Sequence, residues 1–267
     1  MTAGSWRPVG RAVVNAALTF VIVLALWWAV VHLTGISPYV AKGPADVWSF
    51  LVTAEDAATN RAELVPLLVR TLQDAALGFV VGMVVAGALA VAFSLSRTIE
   101  AGVMPLALLL RSIPLVSIAP VIILITGRGT QASVAVIGSI VVLFPALASI
   151  LFGLGRASVQ SLDLVHVYGG SRLTAMRKVN VPGALPALFA AARVSVPGAV
   201  TGALLAEWLS TGQGIGGSIV KFTASAKFDD LWASVALITV ITLLLYNVVQ
   251  VVENAVLARM AMTSAQR

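Results

Sequence analysis

The chain has 267 residues, of which 59% are hydrophobic and only 10% charged, with a mean hydropathy of +1.00. A soluble domain of that size needs far more charge to cover its surface, so lipid is the solvent for most of this chain. The net charge is +6, but the basic residues fall in short connectors between apolar runs and form no stripe with interleaved aromatics, which excludes a nucleic-acid partner. There is no cysteine, which removes disulfides and thiolate metal sites. His32 and His166 lie far apart in different kinds of segment, which argues against a histidine metal site.

A helix needs about 20 apolar residues to cross the hydrocarbon core. The first such run, from about Ala12 to Leu33, is charge-free. Arg7 and Arg11 ahead of it fit the start of a signal peptide. The run is too long for a signal core, however, and Trp27-Trp28 stand where a small-x-small cleavage site would be, so we read a retained anchor. The segment from Ser37 to Pro66 carries Gly43-Pro44-Ala45-Asp46, and a proline at a first helical position predicts a short surface helix. A second run follows Asp74 and reaches Ser96. The third, Val103 to Thr126, is interrupted by Arg111 and Pro114. The fourth runs from Ser133 to Leu154, the fifth from Leu185 to Trp208 and the sixth from Leu231 to Val252. The expected fold is all-α: a polytopic membrane helical bundle of about six transmembrane helices, one domain over residues 1–267.

Lysine and arginine placement orients this bundle. With the N-terminus inside, the inner segments carry Arg7, Arg11, Arg97, Arg156, Arg172, Arg177, Lys178, Arg259 and Arg267. The outer segments carry Lys42, Arg61, Arg70, Arg128, Lys221 and Lys227. Trp27, Trp28, Trp208 and Trp232 then fall near the outer ends of their spans, as an aromatic belt does. Both termini are expected inside.

The inner segment from Gly155 to Pro182 is longer than a turn. It holds Arg156, Asp163, His166, Arg172, Arg177 and Lys178, yet keeps Leu162, Leu164, Val165, Leu173, Met176 and Val179. Helices with an apolar face outside the membrane usually dock onto something. Nothing here has the pattern of a catalytic site, and the Gly-x-x-x-x-Gly-Lys-Ser/Thr phosphate loop is absent, so the chain is expected not to be an enzyme. Gly212-Gln213-Gly214-Ile215-Gly216-Gly217 matches Gly-x-Gly-x-x-Gly, but a dinucleotide fingerprint needs a βαβ unit around it, and this stretch joins two spans. It reads as an outer loop or re-entrant turn in which glycines let the backbone pack closely. Gly78, Gly82 and Ala86 have the small-xxx-small spacing of close helix contacts, within one subunit or between two.

Charges within spans carry more information. Arg111 and Arg193 each lie roughly 8 residues from the inner end of their spans, about 12 Å deep. An arginine at mid-helix costs about 2.5–3.5 kcal/mol on insertion, so each must face protein, water or a counter-charge. Either both line a translocation pathway or both tie helices together. Glu207 is about 14 positions from Arg193, roughly 21 Å along the same helix, so those two do not pair within it. Pro114 frees a backbone carbonyl near Arg111, and irregular backbone at that depth must be buried or line a cavity.

The sequence Asp163-Leu164-Val165-His166-Val167-Tyr168-Gly169-Gly170-Ser171, ending Val179-Asn180-Val181-Pro182, resembles the EAA loop of ABC importer permeases. Gly169 and Pro182 stand at the family spacing, Asp163 replaces the usual Glu, and Leu164-Val165 replace the two alanines. Arg70-Thr71-Leu72, Gly78-Phe79, Leu110-Arg111-Ser112-Ile113-Pro114, Gly127-Arg128-Gly129, and Glu207 with Gly212-Gln213-Gly214-Ile215-Gly216 are similar to the sulfonate/nitrate/taurine-type subfamily. The resemblance implies a homodimer in a bacterial inner membrane, working with two cytoplasmic ATPase subunits that bind the ATP and with an extracytoplasmic solute-binding protein. It places residues 155–182 as a coupling loop between spans four and five, with Asp163, His166, Gly169, Gly170, Arg172 and Pro182 at the ATPase contact. Arg111, Pro114, Arg193 and Glu207 are the candidate pathway residues, and a positive cavity would favour a small anion such as a sulfonate, nitrate or taurine. The rival expectations are an ATPase-independent secondary transporter or channel, which would need paired intramembrane acids or an inverted repeat, and a membrane-embedded enzyme.

Overall fold

A computed structural model describes the backbone of residues 6–260 and the side chains of residues 18–260. The termini, with Arg267, and the side chains of Arg7 and Arg11 lie outside the described residues. Among the described residues the chain is helical, with no strand. Helix α1 spans Trp6–Leu33, α2 Pro44–Trp48, α3 Ala57–Leu95, α4 Arg97–Ser112, α5 Leu115–Thr126, α6 Gln131–Leu154, α7 Val159–Val167, α8 Arg172–Ala175, α9 Val181–Gly183, α10 Leu185–Ala206, α11 Gly214–Ala224 and α12 Phe228–Arg259. Of these, α3, α6, α10 with its continuation to Thr211, and α12 are long and apolar enough to cross a membrane.

The third apolar run breaks where Pro114 interrupts it: α4 and α5 meet at a bend of 110° across Ile113 and Pro114. Pro114 lacks an N–H and keeps the residue before it out of the helical region, so α4 stops at Ser112, Ile113 is extended and Pro114 caps α5. The second span starts earlier than Asp74, because α3 already begins at Ala57 and runs for 39 residues. The charges it passes through, Arg70 and Asp74, are one turn apart and pair at 3.3 Å, so the helix does not have to end there.

The chain divides into two compact units. One takes residues up to Leu64 together with Lys221–Ala236. In it α2 forms as the Pro44 signal predicts, with the Asp46 carboxylate accepting from the Gly43 N–H at 2.7 Å. Trp27 donates to the Lys42 carbonyl at 3.1 Å and Trp232 to the Val40 carbonyl at 2.9 Å. The two indoles stack at 5.8 Å, beside a Lys42–Asp229 ion pair of 3.1 Å. These tryptophans therefore fasten the segment after α1.

The other unit takes Val65–Val220 and the chain from Leu237. At its centre α6 buries Val134, Ile137, Gly138, Val142, Ala146, Leu147, Ile150, Gly153 and Leu154, one face of a helix at three- and four-residue spacing. Gly138 is where three helices meet. A Cβ on Gly78 of α3 would stand 2.8 Å from the Gly138 Cα, and one on Gly202 of α10 would stand 2.9 Å from it. A Cβ on Gly82 would likewise stand 2.7 Å from Val142. The small-residue stripe of α3 thus packs within the subunit. In a bilayer, where lipid tails are as apolar as leucine, such close contact holds helices together by dispersion.

Overpacking a tight site costs about 1–3 kcal/mol. Gly138→Ala should therefore lower the thermal unfolding midpoint of the purified protein clearly, whereas Gly87→Ala, with nothing within 4 Å of its added carbon, should leave it equal or raise it. Equal midpoints for the two variants would contradict the three-glycine contact.

Candidate coupling loop and buried charge clusters

The segment between α6 and α10 is built from capped pieces. The Ser158 hydroxyl accepts from the Ser161 N–H at 3.2 Å and starts α7. At the other end of α7, Gly170 N–H donates to the Val165 carbonyl at 2.8 Å and Gly169 N–H to the His166 carbonyl at 2.9 Å. This pair of bonds is a Schellman termination, and Gly169 takes the left-handed position it requires, with φ +75°. Gly170 is required for a different reason: a Cβ there would stand 2.4 Å from the Val165 side chain. Ser171 caps α8 at once by accepting from the Thr174 N–H at 3.3 Å. The chain returns through a π-helical turn, Met176–Asn180, into α9, where Pro182 occupies the first turn.

Two contacts anchor this return to the bundle. Met176 is buried among Phe93, Leu147, Ile150 and Leu154. The Asn180 side-chain amide donates to the Leu154 carbonyl at 3.0 Å, satisfying an orphan group at the end of α6. The apolar residues expected to form a docking face are therefore divided. Met176 packs inward, Leu162, Val165 and Val179 are half-buried, and Leu164 and Leu173 are exposed. Val167 and Tyr168, each 83% exposed, join Leu164 on the outward side. Asp163, His166, Gly169 and Arg172 are exposed, His166 and Arg172 beside the start of α4, while Gly170 and Pro182 are half-buried.

Arg193 and Glu207 are both buried, in separate clusters. The Arg193 guanidinium lies 3.2 Å from the carboxylate of Glu253 on α12, with the Tyr246 ring 5.8 Å away. Glu253 is fully buried. The sixth apolar run ends at Val252, one residue short of Glu253, so the run alone does not single it out. The available signal was depth: Glu253 lies six residues before Arg259 at the end of α12, as Arg193 lies eight after Leu185 at the start of α10.

Glu207 is enclosed by the glycine-rich stretch. Thr71 Oγ1 donates to its carboxylate at 2.9 Å and Gly216 N–H donates to the same oxygen at 2.8 Å. The Ile215 N–H in turn donates to Thr71 Oγ1 at 2.8 Å. Gly214 has φ +62°, and a Cβ there would stand 2.1 Å from the carboxylate. A Cβ on Gly216 would stand 2.3 Å from the Leu204 carbonyl oxygen. The Gly-x-Gly-x-x-Gly match is thus a wrapping for a buried acid. Arg111, by contrast, is exposed in the last turn of α4, next to the break at Pro114, and makes no ion pair among the described residues.

Residues 78–262 match the family of binding-protein-dependent transport system inner membrane components. The chain is 29% identical over 225 residues to a probable ABC transporter permease protein of Haemophilus influenzae, covering 84% of this chain and 89% of that one. It is 25% identical to the taurine transport system permease protein TauC of Escherichia coli, covering 90% and 88%, and 26% identical to the riboflavin transport system permease protein RibX of Chloroflexus aurantiacus, covering 93% and 89%. The matched region takes in the three-glycine contact, the capped loop and both buried carboxylates, and the chain belongs to this family of ABC transporter permeases.

Proposed function

We propose that this permease is the solute-conducting subunit of an ATP-driven importer, working as a homodimer, and that α7 is the element through which a cytoplasmic ATPase moves it. The observation that carries this reading is the loop's construction. A short helix, capped at both ends, presents Leu164, Val167 and Tyr168 outward, while Met176 and Asn180 fix its return to the bundle. ATP is bound by the partner, since the chain has no phosphate loop of its own. With the N-terminus inside, this loop faces the cytoplasm, and a solute-binding protein meets the opposite side.

The solute is the finer question. The names of the relatives span taurine, riboflavin and a formylaminopyrimidine, so family membership leaves the chemistry open. Our reading is a small anion, and its physical support is now Arg111 with the broken helix at Pro114. Arg193 contributes little positive potential, because Glu253 neutralises it at contact distance. Glu207 is held by Thr71 and Gly216, which fits a helix-fastening role better than contact with solute.

The coupling assignment is tested by substituting an outward residue that the fold does not need. Val167→Asp should leave membrane insertion intact but abolish uptake and the capture of the ATPase; unchanged uptake would sink the assignment. Gly169→Asp should do the same with an added backbone cost of about 1–2 kcal/mol, from forcing an L-residue into the left-handed region.

For the buried pair, Arg193→Gln or Glu253→Gln alone should destabilise the protein by about 3–5 kcal/mol, whereas Arg193→Met with Glu253→Leu should recover most of that loss. Unfolding midpoints for the four proteins check it. A stable Arg193→Gln protein that fails only in uptake would instead place Arg193 on the pathway.

Orientation is read by introduced thiols, which are unambiguous in a chain without cysteine. Thr59→Cys and Ser225→Cys should react with an impermeant reagent added to intact cells, and Ser171→Cys should not. The opposite pattern reverses the topology.

A further inference from the structure

Between the start of α4 and the coupling loop lies a cleft of about 750 Å³ that takes in His166 and Arg172 from the expected ATPase contact. Arg97, Arg172 and His166 line it together with Ser94, Thr98 and Asn180, and no acidic residue does. Neither arginine makes an ion pair among the described residues. Helix α4 begins at the cleft with Glu100 in its first turn, so the helix end is already answered and the positive potential there comes from the two arginines. The wall contributed by Leu162 and Met176 is apolar. A site with uncompensated guanidinium groups, hydroxyls and one apolar wall suits a phosphate group that carries a hydrocarbon tail.

Depth identifies the source of that phosphate. Residues 75–95 of α3 contain no charge, and Arg97 follows two residues after the helix ends. Helix α6 ends at Leu154, whose carbonyl is bonded by Asn180, and Asn180 also lines the cleft. The cleft therefore sits where two apolar spans give way to polar chain, the level of lipid headgroups in a bilayer. The Asp163, Leu164 and Val167 side of α7 is not part of its lining. We infer that this cleft binds the phosphate of an anionic phospholipid, so that a lipid is seated between the start of α4 and the coupling loop.

The inference needs only membrane embedding, and it is tested on the full-length permease without its ATPase, so its failure is separable from that of the coupling assignment. The protein is reconstituted in nanodiscs of phosphatidylcholine with phosphatidylglycerol, extracted in mild detergent, and its retained lipid is measured. Wild type should retain phosphatidylglycerol in preference to phosphatidylcholine. Arg97→Gln with Arg172→Gln should weaken that preference about tenfold, the effect of losing one or two charge-assisted hydrogen bonds. Should the double variant not fold, Ser94→Leu, which fills the cleft without changing charge, should produce the same loss. Equal retention by a folded variant overturns the proposal. So does tight binding of inorganic phosphate without enrichment of phosphatidylglycerol, which would make the occupant a free phosphate. If, in a separate capture experiment with the ATPase added, the arginine variant loses ATPase binding while its lipid retention is unchanged, the cleft belongs to the ATPase and the proposal is overturned.

Discussion

The contact of Gly78, Gly138 and Gly202 fixes how closely α3, α6 and α10 approach, and the features that bear on function hang from it. Helices α6 and α10 carry the two ends of the loop over residues 155–182. Because their spacing is set by backbone against backbone, with no side chain to yield, the loop is held between two closely fastened helices. The same contact brings α3 against α10, which lets Thr71 reach the Glu207 carboxylate. A larger residue at any of the three positions would separate the helices and undo both consequences together.

Charge inside this bundle is then handled locally. Hydrocarbon offers no water to an exposed polar group, so each buried ion must be answered by protein. Arg193 and Glu253 answer each other between α10 and α12. Glu207 is answered by a hydroxyl and by a backbone N–H of a turn that only glycine can form. Arg70 and Asp74 answer each other within one helix. Among the described residues Arg111, near the helix break, has no ion partner.

Much of this was legible in the residues. Long apolar runs identify spans because few other structures satisfy a backbone in lipid, and Pro114 announces a break because it lacks a donor. The spacing of Gly169 and Pro182 carries the resemblance to an EAA loop, and the structure gives local reasons for the glycines: Gly169 is a left-handed helix terminus and Gly170 has no room for a side chain. What was not legible is pairing between distant positions. Glu253 is 60 residues from Arg193, and no local pattern connects them. The glycine-rich stretch could be dismissed as a nucleotide site, but its purpose depended on Thr71, 144 residues away from Ile215.

How the loop would transmit force follows from where it is stiff and where it is tied. A helix of 9 residues is about 14 Å long, and a lever of that length is useful only if its ends do not slip. At the α6 end the tie is the Asn180 bond to the Leu154 carbonyl, a single polar contact that would be weak in open water. Burial of Met176 beside it excludes water and supplies the apolar contact that the hydrogen bond alone lacks. Under the proposed coupling role, a push on Leu164 or Val167 would reach the end of α6 and the start of α10 together, and through the glycine contact α3. The loop's sequence is apolar in two directions: Met176 faces the bundle, and Leu164, Val167 and Tyr168 face outward, the surface the proposed ATPase contact would use.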